Sequence, residues 1–154
     1  MTIFDPLFLE FIELLNQNEA KYILIGGYAV ILNGVNRTTG DMDVLRERSI
    51  KNAEKVLKAI DDFGLGSIGF TVEDLMEEKS VIQMGRVPYR IDILNSIPGV
   101  DFEEAYSKCD IYTEDGIDVK CIHINHLINN KLAVKRDKDL SDAKALKKIL
   151  NRKK

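Results

Sequence analysis

Two segments of the sequence carry carboxylates at a spacing that suits a divalent metal ion. Asp41 and Asp43 alternate with apolar residues, and Asp92 lies between Ile91 and Ile93. Successive residues of a strand face opposite sides of the sheet, so Asp41 and Asp43 share one face. Carboxylates about 6–7 Å apart on one face repel each other unless a cation lies between them. Oxygen ligands suit Mg²⁺ or Mn²⁺. We therefore predict the three aspartates as metal ligands and as catalytic residues.

A glycine pair, Gly26 and Gly27, follows the apolar segment 22–25 and precedes a helical pattern. Residues without a Cβ let backbone amides approach a phosphate, and a helix start adds partial positive charge. This turn is therefore predicted to bind the phosphates of a nucleotide. Arg37 and Thr39 come just before the acidic strand and are predicted to reach the same phosphates or to hold the loop. The alternative that Arg37 pairs with one of the aspartates stays open.

The elements that must position these residues alternate between helix and strand. Apolar residues at helical spacing after Pro6 predict an N-terminal helix within 1–20, and two further helices are predicted within 125–151, from about His126 to Lys135 and from about Ser141 to Asn151. Ser49 is predicted to cap a helix in the middle of the chain. Short apolar or alternating segments predict strands at 22–25, 42–45, 81–84, 89–94, around 111, and at 117–122. The order predicts one domain over 1–154, of the α+β (α/β) class, with a mixed β-sheet flanked by helices.

Composition narrows the function classes. The chain has 154 residues and a net charge of −3, so no overall basic field is present to hold a long nucleic acid. Cys109 and Cys121 lack metal-binding or disulfide spacing and are interpreted as reduced thiols, which favours a cytoplasmic protein. The first residues lack a basic segment and are interrupted by acidic residues, so neither a signal peptide nor a membrane span is predicted.

Together, the glycine pair, the Asp41-Met42-Asp43 segment and the later Asp92 resemble the signature of the DNA polymerase beta-type nucleotidyltransferase superfamily. The run from Arg37 to Asp43 is similar to its small prokaryotic branch, which includes minimal nucleotidyltransferases and abortive-infection toxin-like members. The segment 131–142 also resembles that branch, in which a helix bearing a Lys and an Arg precedes a Lys-Asp-x-x-Asp helix start. The resemblance covers residues 20–150.

The resemblance implies two-metal transfer of a nucleoside monophosphate from a triphosphate such as ATP to an acceptor hydroxyl, with release of pyrophosphate. Asp41 and Asp43 would bind the metal that carries the triphosphate, and with Asp92 they would hold a second metal. Lys131 is the candidate for a phosphate contact, with a solvated helix face as the alternative. Asp139 and Asp142 are instead predicted to cap the last helix and to pair with Lys138 or Arg136.

A second interpretation is a protein of the same fold that binds a nucleotide or a partner without turnover, for example one component of a toxin–antitoxin pair or of a phage-defence system. The complete set of three acidic positions favours an enzyme, because a binding role does not require the third carboxylate. The acceptor stays open among an RNA end, a protein hydroxyl and a small molecule. Whether the protein is active alone, as a homodimer or with a cognate partner protein also stays open.

Overall fold

The computed structural model describes residues 2–86 and 88–153. The helices are α1 (Pro6–Gln17), α2 (Gly26–Leu32), α3 (Ile50–Asp62), α4 (Val72–Met76), α5 (Phe102–Ser107), α6 (Ile124–Val134) and α7 (Asp137–Arg152). The strands are β1 (Tyr22–Ile25), β2 (Met42–Arg46), β3 (Val81–Met84), β4 (Ile91–Leu94), β5 (Asp110–Glu114) and β6 (Ile117–Cys121). A short 3₁₀ turn, Gly66–Ile68, precedes α4.

The six strands form one sheet in the order β3-β4-β2-β1-β6-β5. Two hairpins, β3/β4 and β5/β6, form its edges, and β1 pairs antiparallel with β2. The pairs β2/β4 and β1/β6 are parallel, so the sheet is mixed. The predicted α+β class with a mixed sheet flanked by helices is therefore confirmed.

Local sequence signals account for several helix starts. Pro6 occupies the first turn of α1, and the carboxylate of Asp5 accepts a hydrogen bond from the Leu7 amide. The Ser49 hydroxyl accepts from the Asn52 amide, so the predicted cap of α3 is confirmed. Helix α4 was not predicted, because the glycines at 64, 66 and 69 indicated a loop. Its start is nevertheless a capping box in which Thr71 and Asp74 satisfy each other's backbone amides.

The apolar core is continuous and draws on all the central elements. Leu24, Val44 and Ile93 form a row across β1, β2 and β4, and each is at most 1% exposed. Phe8, Phe11 and Ile12 of α1 and Val56 and Ile60 of α3 belong to the same cluster. Burial of this cluster holds the strands in fixed register, which is what positions residues at their ends. No helix in the described part of the chain is long and apolar enough to cross a membrane.

The last helix begins earlier than predicted. The pattern placed its start at Ser141, whereas α7 starts at Asp137, directly after α6 ends and Lys135 adopts a left-handed conformation with φ +68°. Asp139 and Asp142 therefore lie within the helix, and the prediction that they cap it is wrong. The residue at the cap position is Arg136, which makes no side-chain cap hydrogen bond.

Candidate active site

The strand register brings the predicted carboxylates to one edge of the sheet. Asp43 of β2 pairs directly with Asp92 of β4, and Asp41 lies two residues before Asp43 on the same face. On the other side, Asp43 pairs with Ile25, the last residue of β1. Because β1 runs antiparallel to β2, the chain leaves β1 at the edge where β2 and β4 begin. The glycine turn and the three aspartates therefore meet at a single edge.

Arg90 bridges two of these three carboxylates. Its Nε is 3.0 Å from Oδ1 of Asp92 and its Nη2 is 3.1 Å from Oδ2, which is a two-pronged ion pair. The same Nη2 is 2.7 Å from Oδ2 of Asp41. The hydrogen bond and charge of Asp92, with smaller contributions from the charges of Asp41 and Asp43, raise the pKa of Arg90 above its usual value. The cluster thus contains a cation supplied by the chain itself.

Burial and neighbouring charges disfavour the ionised form of Asp43. Burial, followed by the negative charges of Asp92 and Asp41, raises its pKa from 3.8 to about 6, although Arg90 acts in the opposite direction. A hydrogen-bonding interaction with Asp92 also raises the pKa of Asp43. These carboxyl groups therefore face each other, and the electrostatics of the edge call for additional positive charge.

Both positions of the turn require glycine, because a side chain at either position would collide with a neighbouring residue. Gly26 has φ +69°, a conformation that side chains disfavour, and a Cβ there would lie 2.4 Å from Oδ2 of Asp43. A Cβ at Gly27 would lie 2.2 Å from Oγ1 of Thr39 and 3.4 Å from Nη2 of Arg37. The turn therefore packs its bare backbone against the carboxylate strand and against the loop before it. Sequence reasoning identified these residues together but not the mutual packing that explains the glycines.

Metal-ligand geometry is not formed in this arrangement. Within residues 2–86 and 88–153, no group of three or more His, Cys, Asp or Glu side chains is placed so that it could hold a metal ion. Three carboxylate oxygens of Asp41 and Asp92 are instead directed at the Arg90 guanidinium. The donor set itself, three carboxylates gathered at one edge of the sheet, fits Mg²⁺ or Mn²⁺. A metal could use these oxygens only if Arg90 moved.

A second ionic cluster joins the loop before β2 to the two C-terminal helices. The Arg37 guanidinium lies 2.6 Å from Oδ2 of Asp142. The Lys131 ammonium lies 3.2 Å from Asp142 and 3.3 Å from Asp139, and Arg136 completes the cluster at 2.7 Å from Asp139. Burial acts to raise the pKa of Asp139, but hydrogen bonds from Arg136 and Lys131 outweigh it and hold that pKa below its ordinary value. The network fixes α6, α7 and the Arg37 loop relative to one another.

These contacts revise the predicted roles of the basic residues. Arg37 pairs with Asp142 rather than with Asp41 or Asp43. Lys131 is not on a solvated helix face, because its side chain is only 7% exposed. Its ammonium is already bound by carboxylates, and this disfavours the predicted phosphate contact. The predicted pairing of Asp139 with Arg136 is confirmed, whereas the pairing of Asp142 with Lys138 or Arg136 is wrong, because Asp142 pairs with Arg37 and Lys131.

Sequence reasoning did not assign a role to Arg90, and it did not identify Asp142 as the partner of Arg37. A signal for Arg90 was present, since Arg90 and Asp92 alternate with Ile91 and thus share a face, by the same rule that grouped Asp41 with Asp43. No local signal could have paired Arg37 with Asp142, because 105 positions separate them in the chain.

Comparisons with known proteins concern the fold and the family of the chain. The fold is similar to the crystal structure of a "putative nucleotidyltransferase" from Thermotoga maritima, with a TM-score of 0.59 over 97% of this chain and 96% of that one. The two sequences are 13% identical, so this likeness concerns the fold alone. No curated protein sequence matches. Residues 6–152 match the family described as "Nucleotidyltransferase of unknown function (DUF6036)". The chain therefore belongs to this nucleotidyltransferase family.

Proposed function

We propose that the protein is a nucleotidyltransferase that uses Mg²⁺ or Mn²⁺ to transfer a nucleoside monophosphate from a nucleoside triphosphate to an acceptor hydroxyl, with release of pyrophosphate. The observation that carries the proposal is the direct pairing of Asp43 with Asp92 on neighbouring parallel strands, with Asp41 on the same face. Family membership supports the general class of reaction. The reaction also explains why three acidic groups are kept together at one edge despite their repulsion.

The raised pKa of Asp43 supports a cation site in particular. A carboxyl group whose pKa rises to about 6 among other carboxylates gains from any positive charge brought close to it. Arg90 supplies part of that charge but leaves the pKa of Asp43 raised. A divalent cation would complete the neutralisation, and its ligands would be Asp41, Asp43 and Asp92. When bound, such an ion polarises the phosphate and lowers the pKa of the attacking hydroxyl.

The other residues of the edge bind and orient the nucleotide in this proposal. The Gly26–Gly27 turn lies next to the carboxylate that would hold the metal, and its backbone amides are the proposed contacts of the phosphates. Thr39 and Arg37 lie against this turn, and their contacts fix its position. Correct placement of the triphosphate relative to the acceptor supplies most of the rate in reactions of this kind. One carboxylate of the cluster accepts the proton of the acceptor hydroxyl.

The test measures binding by thermal denaturation with and without Mg²⁺ and each nucleoside triphosphate. Mg²⁺ plus the preferred triphosphate should stabilise the wild type by about 2.7 kcal/mol when the ligand is at 100 times its dissociation constant. Asp41→Asn and Asp43→Asn should remove that stabilisation and remain folded. Asp110→Asn, an exposed aspartate on the edge strand β5, is the matched control and should retain it.

The acceptor is identified by incubation of the protein with α-labelled triphosphates and a cell extract, in which label should enter RNA, protein or a small molecule. Asp92→Asn should abolish this labelling. If Asp41→Asn and Asp43→Asn bind and stabilise as well as the wild type does, the metal site is not where we propose it. Turnover by those variants would lead to the same conclusion.

A further inference from the structure

Arg90 is the one charge in the carboxylate cluster to which the proposed reaction gives no role. We propose that Arg90 is a built-in substitute for the divalent cation, which closes the cluster while the nucleotide is absent and turns to a phosphate of the nucleotide when metal and nucleotide bind together. This inference rests on the proposed function. The inference adds to that function a dependence of metal binding on the nucleotide, and it adds a residue that binds the nucleotide.

The geometry makes Arg90 and a metal direct competitors. The guanidinium takes both oxygens of Asp92, at 3.0 and 3.1 Å, and Oδ2 of Asp41, at 2.7 Å. A metal bound by the same carboxylates needs those oxygens. A metal ion placed between the same carboxylates would lie next to the guanidinium, and the two positive charges would repel each other. Metal binding therefore requires that the ion pairs of Arg90 break.

Arg90 can leave the cluster without disturbing the core. It lies just before β4, its side chain is 34% exposed, and its partner Asp41 is 29% exposed. The backbone is held independently, because the Arg90 carbonyl accepts a hydrogen bond from the Met42 amide at 3.1 Å. A turn of the side chain alone therefore moves the charge. By contrast, Arg46 at the other end of β2 is fully buried and could not move in this way.

The displaced guanidinium needs a new anion, and the nucleotide provides one. A planar guanidinium binds two phosphate oxygens in the same two-pronged geometry that it uses with the Asp92 carboxylate. Metal alone breaks the ion pairs without replacing them, whereas a metal–nucleotide complex supplies both the cation and the replacement anion. We therefore expect the free metal to bind weakly and the metal and nucleotide to bind cooperatively. If Arg90 leaves the cluster open in a tenth of the molecules, the apparent dissociation constant of free metal rises about tenfold.

The experiment measures Mn²⁺ binding by electron paramagnetic resonance, with and without a non-hydrolysable nucleoside triphosphate. The wild type should bind Mn²⁺ weakly alone and much more tightly with the nucleotide. Arg90→Met should bind Mn²⁺ alone about tenfold more tightly than the wild type, and the nucleotide should then add less to the affinity. Arg86→Met, an exposed arginine of the same β3/β4 connection, should behave like the wild type.

A second variant and a folding measurement distinguish the proposed role of Arg90 from a loss of folding. Arg90→Lys keeps the charge but loses the two-pronged geometry, so its Mn²⁺ affinity should lie between those of the wild type and Arg90→Met. Circular dichroism, recorded in the presence of a chelator, reports whether each variant is folded. Equal Mn²⁺ affinities for the wild type, Arg90→Lys and Arg90→Met would overturn the role of Arg90 and leave the metal site intact. Absence of Mn²⁺ binding by every protein, with or without nucleotide, would instead overturn the metal site and with it the proposed function.

Discussion

The charge of Asp43 is unfavourable at the edge of the sheet, so its ionisation affects the stability of the fold. Its pKa is raised from 3.8 to about 6, first by burial and then by Asp92 and Asp41. A raised acid pKa means that the folded state prefers the protonated carboxyl group. The free energy of unfolding therefore falls as the pH rises from about 4 through about 6.

Asp43→Asn removes that ionisation. In the presence of a chelator the variant should be more stable than the wild type above pH 7, by up to about 3 kcal/mol, the free energy that corresponds to a rise in pKa from 3.8 to about 6. The gain should vanish below about pH 4, where the wild-type carboxyl group is protonated in both states. Urea denaturation between pH 4 and pH 8 measures the difference. A gain that does not change with pH would contradict the electrostatic cause, and Asp110→Asn serves as the exposed control.

At the level of elements, the buried ionic cluster ties α6 and α7 to the loop that precedes β2. Lys131 is the member that contacts both buried aspartates, Asp139 and Asp142. Removal of one partner from a buried ion pair costs more than the pair contributes, because the remaining charge is left without compensation. Here Arg37 and Arg136 still neutralise part of that charge, which limits the cost.

Lys131→Met should lower the free energy of unfolding by about 3 kcal/mol at pH 7, near the lower end of the range for such pairs. The pKa of Asp139 is held low, so the stabilisation from its ion pairs is present above about pH 4 and is lost as the pH falls through its folded pKa. The effect of the substitution should therefore shrink in acid. Lys138→Met, on the exposed face of α7, should change stability little under the same urea titration. A similar loss of unfolding free energy in both variants would mean that Lys131 in the buried ionic cluster stabilises the fold no more than an exposed lysine does.

Most elements could be predicted from periodicity, but the contacts between distant elements could not. Strand alternation grouped Asp41 with Asp43 and indicated Asp92, and the register of β2 with β4 pairs Asp43 with Asp92. The pairing of Arg37 with Asp142 depends on how α7 packs, and no short-range pattern encodes it. The alternative that Lys131 lies on a solvated helix face was wrong for a related reason, because burial of a charged helix residue is decided by its partners and not by its sequence neighbours.

At the scale of the whole molecule, one continuous core links the site to the rest of the fold. Cys121 lies at the end of β6, pairs with Leu24 of β1 and is 3% exposed. Burial raises the pKa of its thiol to about 12. Cys109, just before β5, is only partly buried. The reactivities of the two thiols therefore report on how far the structure opens, one near the surface and one in the core.

If the core unfolds as one unit, Cys121 should become reactive only when the entire domain opens. In a Cys109→Ser variant at pH 8, an aromatic disulfide reagent should label Cys121 at a rate set by the population of the open state. The logarithm of this rate should rise with urea with the slope of global unfolding, because the same surface is exposed in both processes. In the Cys121→Ser variant, Cys109 should react faster, and urea should affect its rate less. A shallow slope for Cys121 would mean that β6 opens locally, and the sheet that positions the carboxylates would then consist of more than one cooperative unit.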